Sequence, residues 1–203
     1  MTAKPLTLVL ASSSRSRRDM LTAAGVSFEA VAPNVDEAEL KLSLAAAGAS
    51  PRAMADALAE AKAIKVGNRR PDTLVLGSDQ ILALADGSTM DKAEDMATLK
   101  AQLQRLSNET HRLIAAAVIV HEGRAVWRHA DTAVMNMRAL SDDFIDNYLA
   151  AEGKELLWGV GGYRIERLGA QLFARVVGDQ FTVRGLPLFA ILGYLRERGV
   201  LPQ

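Results

Sequence analysis

The sequence contains no cysteine, which excludes disulfides, thiolate zinc sites and cysteine nucleophiles together. It also lacks a charge excess, since 24 Lys and Arg balance 24 Asp and Glu. A chain that grips nucleic acid through the phosphate backbone usually carries a basic surplus, so no nucleic-acid partner is expected. No apolar stretch approaches the roughly 20 residues needed to span a bilayer, and no membrane partner is expected either. The apolar run near the N-terminus, Leu6 to Ala11, is too short for a signal core and has no small-residue cleavage site after it. A cytoplasmic location follows as the expectation. What remains is ordinary globular material: 203 residues, 49% hydrophobic and 24% charged, enough for a sizeable core.

The order of elements reads as α/β. Leu6 to Leu10 is a continuous aliphatic run, as expected for a strand buried on both faces. A helix follows from about Arg15 to Ala24, ended by Gly25. Phe28 to Ala32 reads as a second strand, Arg52 to Val66 as a helix, Leu74 to Gly77 as a third strand, and Asp91 to Leu106 as another helix. Arg112 to Val120 and Ala125 to Met137 are long β-prone runs joined by Glu122-Gly123, a hairpin signal. Ser141 caps a helix with Asp142 and Asp143 in its first turn. Gly159, Gly161 and Gly162 form a flexible patch before a strand at Gln171 to Val177, and Pro187 opens a final helix ending near Arg198. Parallel crossovers combined with an antiparallel hairpin predict a mixed, elongated sheet flanked by helices, in one domain over residues 1–203.

The first helix breaks a local rule. Arg15, Arg17 and Arg18 crowd its N-terminus, where the helix dipole makes cations unfavourable by a few tenths of a kcal/mol or more. Such violations gather at functional sites. A bound anion resolves the conflict, because backbone N–H groups, serine hydroxyls and guanidinium forks all donate to phosphate oxygens. A solvated basic face on a surface helix is the competing reading, and composition alone leaves the two even.

Three further positions stand out. Asp79 follows the aliphatic run Leu74 to Leu76, where open α/β sheets place ligand crevices beyond their strand ends. Gly77 beside it would let the backbone approach a substrate closely. Asp79 is then an ionised carboxylate able to hold a hard cation or take a proton from water, although a turn aspartate is the commoner case. Asp36 and Glu37 look like solvated loop residues alone, but paired in space with Asp79 they would hold a divalent cation against a polyphosphate. Lys62 shares a helical face with Ala55, Leu58 and Val66. It either snorkels to water or reaches a buried phosphate.

The segment Leu10 to Leu21, Leu-Ala-Ser-Ser-Ser-Arg-Ser-Arg-Arg-Asp-Met-Leu, resembles the N-terminal signature of the Maf family of housecleaning nucleotide pyrophosphatases. That pattern reads Leu-Ala-Ser-x-Ser-Pro-x-Arg-Arg-x-x-Leu, so Arg15 stands in place of proline. Val35-Asp36-Glu37, Ala61-Lys62-Ala63 and Gly77-Ser78-Asp79-Gln80 match further family elements in order. Asp91-Lys92-Ala93 stands where the family has Gly-Lys-Pro. Leu106-Ser107 with His111 echoes a Leu-Ser-Gly-x-x-His element in which Asn108 replaces glycine. Gly178-Asp179 and Gly185-Leu186-Pro187-Leu188 match the C-terminal motif, although a turn and a helix start also explain the latter. His111 is read as structural.

The resemblance implies two lobes around a central cleft, a homodimer, and hydrolysis of the α–β phosphate bond of a nucleoside triphosphate with a divalent metal (Mg, Mn or Co). It implies Asp79 as proton acceptor, and Glu37 with Asp79 as metal ligands. Ser12, Ser14, Ser16, Arg17, Lys62 and Lys92 would hold the phosphates. Gln80 after the aspartate resembles the branch acting on 7-methyl-GTP. Glu166 aligns with an acidic element of that branch, and an acceptor suits the positively charged, N–H-rich edge of a 7-methylated guanine. The same reaction on dTTP or UTP, and a nucleotide-binding regulator that has lost turnover, are the alternatives.

Overall fold

The computed structural model describes residues 7–203, so Leu6, the expected start of the first strand, lies outside the described residues. β1 (Leu8–Ala11) is buried along its whole length, as an unbroken aliphatic run between two neighbours requires. It pairs in parallel with β2 (Phe28–Val31) on one side and β3 (Leu74–Ala83) on the other. The short β4 (Thr89–Met90) folds back on the end of β3. β5 (Thr110–His121) pairs antiparallel with β3, and a turn at Glu122 and Gly123 leads into β6 (Arg124–Met137). Both turn residues have positive φ, 49° and 73°, which matches the twist of the flanking strands. β7 (Phe173–Val177) completes the sheet, whose order is β2-β1-β3-β5-β6-β7 with β4 beside β3.

Helices cover both faces. α1 (Arg15–Ala23) and α7 (Leu188–Glu197) pack on one face through Met20, Leu21, Ile191 and Leu195. α2 (Glu37–Ala46) and α3 (Pro51–Gly67) cover the other, α3 with Ala55, Leu58, Ala59 and Ala63. α4 (Met96–Leu106) and α5 (Asp142–Glu152) close the far end around Leu99, Leu103, Ile145 and Tyr148. α6 (Gln180–Val183) is a single turn capped by Asp179. The glycine patch is ordered into short 3-10 turns at Gly153–Trp158 and Val160–Gly162.

Four expectations change. β3 runs six residues past Gly77, so Asp79 lies inside a strand opposite Ala116 and not beyond its end. Glu37 is not a loop residue but opens α2, and Asp36, in the loop just before it, caps the helix; both are exposed. α2 escapes a periodicity search because Leu40, Leu42 and Leu44 alternate like a strand, which leaves Leu42 72% exposed on the helix. α4 begins at Met96 behind its cap Asp95, so Asp91, Lys92 and Ala93 stay outside the helix.

Candidate active site

The site begins with a missing side chain. A Cβ at Gly77 would lie 2.1 Å from the Ala59 carbonyl oxygen and 2.8 Å from the Ala63 nitrogen. Gly77 therefore admits the backbone of α3, not a substrate as its position suggested. Asp79 projects from the same face of β3 two residues on, and Lys62 sits between Ala59 and Ala63 on the turn that touches Gly77. The close approach brings Lys62 Nζ to 2.6 Å from Asp79 Oδ1 and 2.9 Å from Glu37 Oε2. Lys62 does not snorkel to water; it is buried. Asp79 is buried too, and its Oδ2 has no hydrogen-bond partner among the described residues.

The N-terminus of α1 faces this group. Ser14 caps the helix by accepting the Arg17 N–H, and the buried Ser12 hydroxyl accepts the Ser14 N–H at 3.1 Å. The first-turn N–H groups of a helix have no carbonyl of their own to bond. Of the three crowded arginines only Arg17 turns inward and is buried. Its Nε donates to the Gly185 carbonyl at 2.8 Å and its Nη1 to Ser12 at 3.4 Å. Burial pulls its pKa down from the ordinary arginine value, and the charges of Asp79 and Glu37 oppose that shift. The guanidinium remains a cation. Ser16 donates to the Arg184 carbonyl at 3.1 Å.

The Gly185 carbonyl was not foreseen as part of the site. It takes both Arg17 Nε and the hydroxyl of the buried Ser78, and the glycine adopts φ of 94°, a conformation that side chains disfavour. A glycine ahead of Leu186-Pro187 was visible, but only as a turn.

These groups open into one cavity of ≈ 930 Å³, lined at one side by Ser12–Asp19 and at the other by Glu155–Val160 and Tyr163–Glu166. That is the size of site that takes a nucleotide-sized ligand. Lys92 also lines it; partial burial, then the nearby cations Arg17 and Lys62, lower its pKa against the pull of Glu37 and Asp79. Gln80 lines the cavity, but its amide donates to the carbonyls of Thr182 at 2.9 Å and Val183 at 3.1 Å. Its N–H groups are committed to fastening β3 to α6, which leaves only its oxygen for a base. Glu166 lines the cavity too, 3.7 Å from Arg164 and 3.8 Å from Arg184. The cavity is lined by Ser12, Ser14, Ser16, Arg17, Glu37, Lys62, Asp79, Gln80, Lys92 and Glu166, but Asp36 is not among its lining and caps α2 instead.

The family of Maf-like proteins matches residues 7–198. The chain belongs to the Maf-like protein family. A nucleoside triphosphate pyrophosphatase from Sphingopyxis alaskensis is 46% identical over 98% of this chain and 100% of its own length. A protein of that name from Caulobacter vibrioides is 45% identical, covering 99% of each. A 7-methyl-GTP pyrophosphatase from Rhizobium meliloti is 47% identical, covering 98% of each.

The departures from the Maf-like pattern fall outside the buried cluster. Arg15 is exposed and meets Asp19 at 3.8 Å and Glu155 at 4.0 Å. Asp91 bonds Lys41 at 2.5 Å, and Ala93 is buried. Asn108 adopts φ of 61°, a left-handed conformation that asparagine tolerates best after glycine. His111 is buried against Tyr163 and Phe173, with Nε2 2.6 Å from the Tyr163 hydroxyl.

Proposed function

We propose that this cavity hydrolyses a nucleoside triphosphate between its α- and β-phosphates, with 7-methyl-GTP as the preferred substrate, releasing monophosphate and pyrophosphate. The chain is a nucleotide pyrophosphatase, a hydrolase, by its full-length relationship to proteins of that name. The observation that carries the residue roles is Asp79. One of its oxygens is held by Lys62 and the other, buried, has no donor among the described residues. A carboxylate so fixed has an acceptor left for a water proton.

As the water oxygen bonds to the α-phosphorus, its proton passes to Asp79 and the bond to the bridging oxygen breaks. Pyrophosphate leaves with its charge balanced by Arg17, Lys62 and Lys92. Ser12, Ser14 and Ser16, with the first-turn amides of α1, hold phosphate oxygens. Glu37 also positions Lys62, 2.9 Å from its Nζ.

A divalent cation, Mg²⁺, Mn²⁺ or Co²⁺, fits the donors present. Glu37 and Asp79 offer hard carboxylate oxygens, and the unpartnered Asp79 Oδ2 is one that a cation would satisfy. Among the described residues no cluster of three or more His, Cys, Asp or Glu could hold a metal ion. Phosphate oxygens and water would complete the shell, the usual arrangement for Mg²⁺. When bound, the cation neutralises phosphate charge and acidifies water.

The preference for 7-methyl-GTP is supported by Glu166 on the cavity wall and by relatives of that name at 47% and 46% identity. A homodimer is proposed from the family resemblance. A cytoplasmic location is proposed from the lack of cysteine; among the described residues no helix is long and apolar enough to cross a membrane. A nucleotide panel with Mg²⁺, assayed for pyrophosphate, tests the whole reading. Pyrophosphate from 7-methyl-GTP is expected, falling about 10²- to 10⁴-fold in Asp79→Asn. Orthophosphate as the first product, or full activity in Asp79→Asn, overturns it. Unchanged selectivity in Glu166→Ala overturns the base assignment alone.

A further inference from the structure

We propose that Trp158 is the platform on which the substrate's base stacks, with the Arg15 guanidinium covering it until the base arrives. This rests on the reading of the cavity as a nucleotide site. Large hydrophobic side chains exposed among the described residues are Leu42, Val126, Trp158, Leu168, Val177 and Phe189. Trp158 alone of these lines the cavity, and it is 58% exposed there. An indole left open at a cavity wall offers its face to a planar ring, and stacking on an aromatic side chain suits any base.

The ring already faces a planar cation. Arg15 Cζ lies 5.9 Å from its centroid, and the other charged contacts of Arg15 are the long pairs to Asp19 and Glu155 at 3.8 and 4.0 Å. A guanidinium held so loosely, with its side chain 62% exposed, gives way to a ring of larger area. A 7-methylated guanine is itself a planar cation and repeats the cation–π attraction. Glu155 and Glu166 on the same wall supply carboxylates for its N–H groups. The two walls then divide the nucleotide: α1, Lys62 and Asp79 take the phosphates, and the turn ending at Trp158 takes the base. Arg15, which stands in place of the family's proline, thereby belongs to the base side of the site.

The chain has two tryptophans, and the other, Trp127, stacks on Tyr194 at 5.3 Å and lies outside the cavity. Trp127→Phe therefore leaves Trp158 as the sole indole reporter. In that variant, 7-methyl-GTP and GTP should quench the fluorescence, while inorganic triphosphate should not. In the parent chain, Trp158→Ala should raise KM for the nucleotide about 5- to 20-fold with kcat within about twofold, because Arg15's contact is given up on binding. Trp158→Phe should recover most of that loss, and the inhibition constant of inorganic triphosphate should not move. Equal quenching by inorganic triphosphate overturns the proposal, as does nucleotide binding with no quench or an unchanged KM in Trp158→Ala. Failure of the parent chain to release pyrophosphate from any nucleotide overturns the hydrolase reading instead, and the quench still reports whether a base meets Trp158.

Discussion

Replacing His111 should remove a defined part of the protein's acid sensitivity. His111 is 1% exposed, and burial lowers its pKa from 6.5 to about 4. Its contact is with the Tyr163 hydroxyl, whose own pKa burial raises well above the ordinary value, so the tyrosine stays a neutral phenol. Above pH 6.5 the imidazole is neutral in folded and unfolded chains alike, and the fold is fully stable in this respect. Between pH 6.5 and about 4 the unfolded chain takes up a proton that the folded chain refuses. Stability then falls by about 1.4 kcal/mol per pH unit, and about 3 kcal/mol is lost by the time the folded imidazole also titrates. Most of this, about 2 kcal/mol, is gone by pH 4.5. Urea unfolding of the parent chain and of His111→Gln, at pH 7 and pH 4.5, measures it. The carboxylates contribute equally to both proteins, so the parent should lose about 2 kcal/mol more than the variant. Parallel losses, or a folded imidazole titrating near 6.5 by NMR, would refute the buried neutral histidine.

Two other perturbations probe the site directly. Gly77→Ala places a methyl 2.1 Å from the Ala59 carbonyl, so α3 must shift; about 3 kcal/mol of stability should go, and kcat should fall with it as Lys62 leaves Asp79. A variant with unchanged urea midpoint and turnover would show that the close approach is unnecessary. In the proposed role Lys92 would hold phosphate only while charged, and partial burial with the nearby Arg17 and Lys62 lowers its pKa. Nucleotide affinity should therefore begin to fall below the usual lysine pH of about 10.4, and Lys92→Arg should push that limb upward in a KM–pH profile.

The centre of the sheet is legible because burial on both faces, as in β1 and β5, leaves near-continuous apolar runs. β1, β5 and β6 appear as apolar or β-prone runs, and Ser141, read as a cap, accepts the Phe144 N–H at 3.2 Å. The misses share one cause: local pattern conflicts with tertiary position. Gly-Ser-Asp-Gln looks like a polar turn, yet three tertiary contacts absorb its polarity inside β3. Ser78 donates to the Ala116 carbonyl at 2.7 Å, Asp79 meets Lys62, and Gln80 bonds Thr182. None of those partners lies within 17 residues in sequence except Lys62 itself, so no window of sequence could find them.

The same conflict separates the place of Asp79 in the local pattern from its place in the fold. The local pattern puts it beyond a strand end, where a carboxylate would meet solvent and owe its reactivity to a crevice. The observed position is stranger: β1 pairs with β3 only as far as Gly77, and no strand flanks β3 on that side until β4 joins it at Leu82 and Ala83. Asp79 therefore lies past the end of β1 while still held in register by β5 at Ala116. The crevice belongs to β1, whose carboxyl end also delivers Ser12 and the N-terminus of α1. One strand end thus supplies the proposed phosphate grip, and the longer neighbouring strand carries the carboxylate into it on a rigid backbone. A carboxylate on a loop would need a substrate to order it. On β3, with Gly77 admitting α3 and Lys62 fixing one oxygen, Asp79 is oriented before any nucleotide arrives.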